Sequence, residues 1–158
     1  MNLARAIHLD DSDKNVYFSP ARTGEWCLSG GFEFSDWTDA DLSGKAKQAF
    51  SNGWLGLETF GRVTLVAVTP ISEAEFSSLV DRLAQHFVDV YGAPSVDAAR
   101  GVAAEELSYM ADLCADHAEN TILAVQRELA GEGVRESYSA IAPQAAELDL
   151  VAVHGDMN

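Results

Sequence analysis

The sequence predicts an α+β protein: an antiparallel or mixed sheet of about four to six strands with helices packed mainly on one face. Three observations carry that expectation. Apolar residues fall at every second position near the N-terminus and again across 25–37. Across 72–115 they fall at three- and four-residue spacing, with capping residues in place. The two kinds of segment do not alternate strictly, which argues against the repeated strand–helix order of a parallel sheet.

The chain has 158 residues, enough for one domain and tight for two separate cores. A hydrophobic fraction of 47% and a mean hydropathy of −0.04 are those of a globular chain rather than a disordered one. No apolar run approaches the roughly 20 residues that cross a bilayer. "MNLARAIHLDDSD" lacks the apolar stretch of a signal peptide, so a cytoplasmic location is expected. Cys27 and Cys114 stand apart without a CxxC, and are expected to be reduced, buried thiols. Four zinc ligands at recognisable spacing are missing.

Ten Lys and Arg against 25 Asp and Glu give a formal charge of −15. Such a surface repels phosphate backbones and anionic lipid, so neither nucleic acid nor membrane is the expected partner. The electrostatically natural partner is a basic patch on another protein, or a metal cation. The same charge also serves plain solubility.

Along the chain, Leu3 to Leu9 reads as a strand with Leu3, Ile7 and Leu9 on one face, and 16–18 ("VYF") as a short one. In "EWCLSGGFEFSDW" the apolar or small residues are Trp26, Leu28, Gly30, Phe32 and Phe34, with Glu25, Cys27, Ser29 and Glu33 between them. Two structures fit: one long strand, or a hairpin with a three-residue loop at Ser29–Gly31. A helix is expected from Thr38, with Trp37 and Leu42 as a staple and Asn52-Gly53 as its end. "RVTLVAV" at 62–68 reads as a central strand. Ser72 and Glu75 form a capping box for a helix carrying Phe76, Val80, Leu83, Phe87 and Tyr91, ended by Gly92 and Pro94. His86 lies on its wet face. Ala103, Leu107, Met110 and Cys114 mark a further helix. Ile122, Val125 and Leu129 mark another, stopped by Gly131 and Gly133. Residues 134–141 suit either a helix or an edge strand, and "LDLVAV" at 148–153 reads as a last strand.

The densest group of chemistry-bearing residues is "DLCADHAEN", 112–120. One reading makes it a helix junction, with Asp116 as N-cap and Glu119 completing a capping box. The other draws on Glu105, Glu106, Tyr109, Asp112 and Asp116, most of which share a helical face. Glu105, Asp112, Asp116 and His117 are then candidate ligands for a hard cation, with His8 or His154 as a second histidine. The Glu-x-x-His pairs of di-metal bundles are absent, and His117-Ala118-Glu119 lacks the P-C-x-x-C of a deaminase. No G-x-S-x-G, P-loop or G-x-G-x-x-G occurs. Trp37, Trp54 and Phe60 are the candidates for a partner-binding surface.

"GEWCLSGGFEF", "KAKQAFSNGWLGLETFGR", "HFVDVYGAP" and "DLCADH" resemble an uncharacterised family of small acidic bacterial proteins, over nearly the whole chain. The resemblance implies an accessory or adaptor role, in gene neighbourhoods holding a biotin/lipoate-ligase-like protein and factors for molybdenum-dependent oxidoreductases. It supplies no catalytic residues. The leading expectation is therefore a cytoplasmic accessory or interaction protein with no catalysis and no cofactor of its own, linked to maturation of a redox or cofactor-dependent enzyme and compatible with a homo-oligomer. The alternatives are a small metal-dependent enzyme built on 105–117, and a small-ligand carrier binding between sheet and helices near Gly30.

Overall fold

The computed structural model of the chain describes residues 1–8, 12–131 and 133–142. The expected strand at 148–153 and His154 lie outside the described residues. The strands are β1 (Asn2–Ile7), β2 (Trp26–Leu28), β3 (Trp54–Gly56), β4 (Arg62–Val63), β5 (Leu65–Pro70), β6 (Ile122–Ala130) and β7 (Gly133–Ile141). They form one antiparallel sheet in the order β4-β3-β2-β1-β5-β6-β7. The helices are the single turn α1 (Asp13–Val16), α2 (Gly44–Asn52), α3 (Glu73–Tyr91) and α4 (Val96–Ala115). The α+β class holds, but seven strands exceed the expected four to six.

The core follows from the register. Ala4 stands opposite both Cys27 and Val68, and Ala6 opposite Val66, which faces Leu123. All are buried. So is Leu3 on the other face of β1, as suits a strand in the middle of the sheet. Helix α4 lies against β1 and β2 through the stripe Ala99, Ala103, Leu107, Met110 and Cys114, and α3 packs beside it. Ser72 caps α3 as expected, its hydroxyl accepting from the Glu75 amide at 3.1 Å, and Gly92 ends it at φ 76°.

The sheet curls until distant strands meet. Strands lie about 4.8 Å apart in the hydrogen-bonding direction, so β3 and β7, five positions apart, would be about 24 Å apart in a flat sheet. Instead Trp54 of β3 stacks on Tyr138 of β7 with ring centroids 5.8 Å apart. The result is a half-barrel.

Several local expectations give way to longer-range ties. Residues 16–18 are not a strand. Val16 ends α1, whose buried Asp13 carboxylate accepts from the Thr64 hydroxyl at 2.9 Å and meets His8 Nδ1 at 2.7 Å. Around Gly30 neither the long strand nor the hairpin forms. β2 stops at Leu28, Gly30 turns left-handed at φ 71°, and Gly31–Phe34 make a 3₁₀ turn. Glu25, Cys27 and Ser29 are buried as well as Trp26 and Leu28, so both faces of β2 are interior. Thr38 does form a capping box with Asp41, but over the 3₁₀ turn Asp39–Asp41, and α2 starts only at Gly44. Segment 62–68 breaks at Thr64 into β4 and β5.

The largest correction is at 122–130, which is the strand β6 and not a helix. Asp116 is the C-cap of α4, and Asn120 follows in the left-handed region at φ 69°. The Asn120 amide donates to the Val68 carbonyl at 2.8 Å, and Val68 donates to Thr121 at 2.9 Å. Those two bonds tie the chain into the sheet. Residues 134–141 take the strand form, paired along β6 from Ile122–Ile141 to Ala130–Gly133.

Glu25 fastens the turn between β3 and β4. Its buried carboxylate accepts from the amides of Arg22 (2.6 Å), Glu58 (2.9 Å) and Thr59 (3.0 Å), and from the Thr59 hydroxyl at 2.8 Å. Glu25→Ala takes away the charged acceptor of four donors, and a hydrogen bond to a charged group contributes about 1.5–3 kcal/mol. We expect urea denaturation of that variant to show a loss of at least about 3 kcal/mol.

Candidate functional site

The site grows from one buried cross-strand pair. Arg127 on β6 and Glu136 on β7 face each other directly, and Arg127 Nε lies 2.5 Å from a Glu136 oxygen. The guanidinium is fully buried and saturated. Nη1 donates to the carbonyls of Gly53 (2.8 Å), Phe50 (3.0 Å) and Ala49 (3.5 Å), at the C-terminal end of α2. Those carbonyls are the negative end of that helix, so a cation suits them. Nη2 donates to the Ser29 carbonyl. A second buried guanidinium, Arg62, donates to Gly53 O (3.1 Å), Gly30 O (3.1 Å) and Ser29 O (3.4 Å), and reaches Glu33 at 3.3 Å. Both stand over the Phe34 ring, at 4.5 Å for Arg62 and 5.3 Å for Arg127.

This packing explains the two glycines. A side chain on Gly30 would place Cβ 2.5 Å from Leu55 Cβ and 2.9 Å from Arg62, and one on Gly31 would meet Glu136 at 2.7 Å. Only bare backbone fits between the guanidiniums and Glu136.

Glu136 is held as a carboxylate. Burial works to raise its pKa, but hydrogen bonds from Ser29, Arg127 and Tyr138, with the Arg127 charge, outweigh burial and bring it below the usual range. The Ser29 hydroxyl donates at 2.6 Å and Tyr138 at 2.9 Å. Tyr109 of α4 hydrogen-bonds Tyr138 at 3.0 Å. Burial, the bond with Tyr109 and the Glu136 charge keep Tyr138 protonated. Glu106, one turn before Tyr109, shifts the opposite way. Burial, then the charges of Glu136 and Glu105, raise its carboxyl above the usual range. It makes no hydrogen bond or ion pair among the described residues.

These groups line a cleft. One cavity of about 500 Å³ has Ser29, Gly31, Glu106, Tyr109, Val134 and Glu136 in its wall. A second of about 500 Å³ lies beside it and is largely apolar, with Phe87, Tyr91, Pro94, Ala98 and Val102 among its lining residues. Phe32, Ser35 and Glu106 belong to both. Val102, Glu106 and Tyr109 follow at i, i+4 and i+7, one face of α4, distinct from its buried stripe. Tyr91 (47%), Val102 (53%) and Tyr109 (51%) are exposed along this cleft.

The residues anticipated from sequence fare unevenly. Glu106 and Tyr109 reach the cleft. Glu105, Asp112 and Asp116 are exposed and His117 is half-buried. Among the described residues no group of three or more His, Cys, Asp or Glu side chains converges on a metal position. His8 is engaged elsewhere, between Asp13 and the Ala21 carbonyl at 2.9 Å. Trp54 is fully buried and so is no partner surface. Trp37 is half-buried, stacked on Phe50, and Phe60 is half-buried, stacked on His86 with ring centroids 3.7 Å apart. His86 is therefore not simply solvated, and burial lowers its pKa. Sequence reasoning missed Arg62, Arg127 and Glu136. An arginine inside an otherwise apolar run, as in "RVTLVAV" and "ILAVQRELA", is the signal that could have found the first two.

Fold and cleft together define an α+β half-barrel with a polar-to-apolar cleft at its seam. The chain belongs to a family of unknown function, DUF6505, which it matches over residues 1–158. No curated protein and no solved structure shows a significant match to it.

Two outcomes test this geometry. Arg127→Met leaves Glu136 and several carbonyls buried without their cation, so denaturation should show a loss of about 3–5 kcal/mol. Arg135→Ala, which opens the exposed Arg135–Glu128 pair, should leave stability unchanged. For Glu106 the sign runs the other way. A carboxyl raised on folding costs stability once the pH is above its folded pKa, and the cost fades as pH falls towards the ordinary value. Glu106→Gln should therefore stabilise the protein at pH 7, and by less at pH 4, in paired urea titrations.

Proposed function

We propose that the protein is a small-ligand-binding accessory protein, working by binding rather than turnover. One observation carries this: a cavity lined by hydrogen-bonded polar groups and a largely apolar one lie side by side and share Phe32, Ser35 and Glu106 in their walls. A combined polar and apolar lining of this size is the usual make-up of a small-molecule site. The polar side chains in it mostly satisfy one another. Glu136 accepts from three side chains and the Tyr138 hydroxyl is engaged on both sides, an arrangement that positions a ligand without offering a free nucleophile.

The accessory role is the reading that the acidic charge and the lack of a catalytic motif favour, and a basic patch on a partner protein would suit the −15 surface. No helix among the described residues is long and apolar enough to cross a membrane. Cys27 and Cys114 are both buried and unpaired, which suits a reducing cytoplasm.

The cleft can be plugged to test the reading. Nile red, a neutral apolar dye, should bind with a blue-shifted emission at one dye per chain. Ala98→Trp, which puts an indole at the apolar cavity, should weaken it at least about tenfold while leaving the thermal unfolding midpoint unchanged. Dye binding indifferent to the plug would place the apolar site elsewhere and sink the proposal.

A further inference from the structure

We propose that the cleft takes an amphipathic organic cation, with an apolar chain or ring along Phe32, Phe87 and Val102 and an ammonium or guanidinium beside Glu106. This rests on the binding reading above and adds the chemical class of the ligand.

The argument is one of charge complementarity. Among the described residues no lysine or arginine lines either cavity. Three glutamates do, and two of them already have a cation: Glu136 is paired with Arg127 at 2.5 Å and Glu33 with Arg62 at 3.3 Å. Both guanidiniums are buried behind the wall, directed at backbone carbonyls, and leave no positive charge facing the opening. Glu106 is half-buried and has no partner of either kind among the described residues. A half-buried carboxylate at the junction of a polar and an apolar cavity lacks only a counter-ion, and at low dielectric that pairing is worth more than it is in water. Asp36 adds a further negative charge on the apolar side.

The aromatic residues support the same ligand. Phe32, Tyr91 and Tyr109 sit along the cleft, and ring faces attract organic cations. An anionic head would meet the charges of Glu106 and Asp36, neither of which has a cation partner among the described residues. A neutral one would leave Glu106 unpaired. A bare metal ion would gain nothing from the apolar half, and the described residues bring no metal-holding group together.

The ¹⁵N-labelled 158-residue chain titrated with four probes decides the matter: n-octylamine, octan-1-ol, octanoate and n-butylamine. Octylamine is expected to move the amide signals of Gly31, Val102, Glu106 and Tyr109 saturably. It should bind about tenfold tighter than octanol, with octanoate and butylamine weaker still. Glu106→Gln should weaken octylamine about tenfold and leave octanol unchanged, with the rest of the spectrum showing that the fold is kept. If octanol or octanoate binds as tightly as octylamine, or if the variant does not discriminate, the cation assignment fails while the binding reading survives. If no probe moves the cleft signals, or the shifts scatter over the acidic surface without saturating, both fail.

Discussion

The fold depends on a guanidinium placed where a sheet has to close on something. A flat seven-stranded sheet would keep β6 well apart from β2 and β3. Here Arg127 of β6 bonds the carbonyls of Ser29 after β2 and Gly53 before β3. A buried charge is costly to desolvate, and it is tolerated only where every donor is matched. Arg127 meets that condition with one carboxylate, four backbone carbonyls and the face of Phe34. An apolar residue of the same volume could fill the space. It could not bond the ends of a helix, a turn and a strand at once, and so could not fix how far the sheet curls.

The cleft is a consequence of that closure. Once Arg127 and Arg62 pull the Ser29–Gly30 backbone inward, the 3₁₀ turn behind it carries Phe32 towards α3. Phe32 meets Phe87 and Tyr91 edge-on, at 5.2 and 5.9 Å. The turn thus forms one wall, α4 the opposite one and β7 the floor. Glu136 belongs to both the clamp and the cavity, which is why its orientation is set so firmly. Glu106 belongs to the cavity alone. A raised carboxyl without a partner among the described residues is a local cost to the fold.

Much of this was legible in the sequence, and the reason differs by element. Helices α3 and α4 declare themselves through local chemistry, a serine cap and a stripe at 3.6-residue spacing, which tertiary packing only reinforces. Strand β6 hides for two reasons. "ILAVQRELA" is rich in good helix formers, and Ile122, Val125 and Leu129 happen to fit a helical stripe. Its true period of two, Leu123-Val125-Arg127, looks broken because the third buried residue is an arginine. Likewise Glu25 and Ser29 resemble the wet face of β2 until the curl of the sheet buries them. A buried charge can be recognised only with its partner, and the partners of Arg127 lie 9 to 98 residues away. The acidic run at 112–119 drew attention by composition, whereas Glu106 and Tyr109 matter by position, on the α4 face that the core leaves open.

The distribution of positive charge gives that position its chemical meaning. A protein carrying −15 could still present a basic pocket if its few arginines faced one. This one does the opposite: the two arginines nearest the cleft are buried, bonded to carbonyls and to carboxylates whose charge they cancel. The curl of the sheet and the sign of the cleft are therefore set by the same two side chains. A change that freed Arg62 or Arg127 from those partners would loosen the closure of the sheet and leave a further carboxylate at its seam without a cation. The proposed selectivity for a cation is, on this architecture, a by-product of how the sheet is closed.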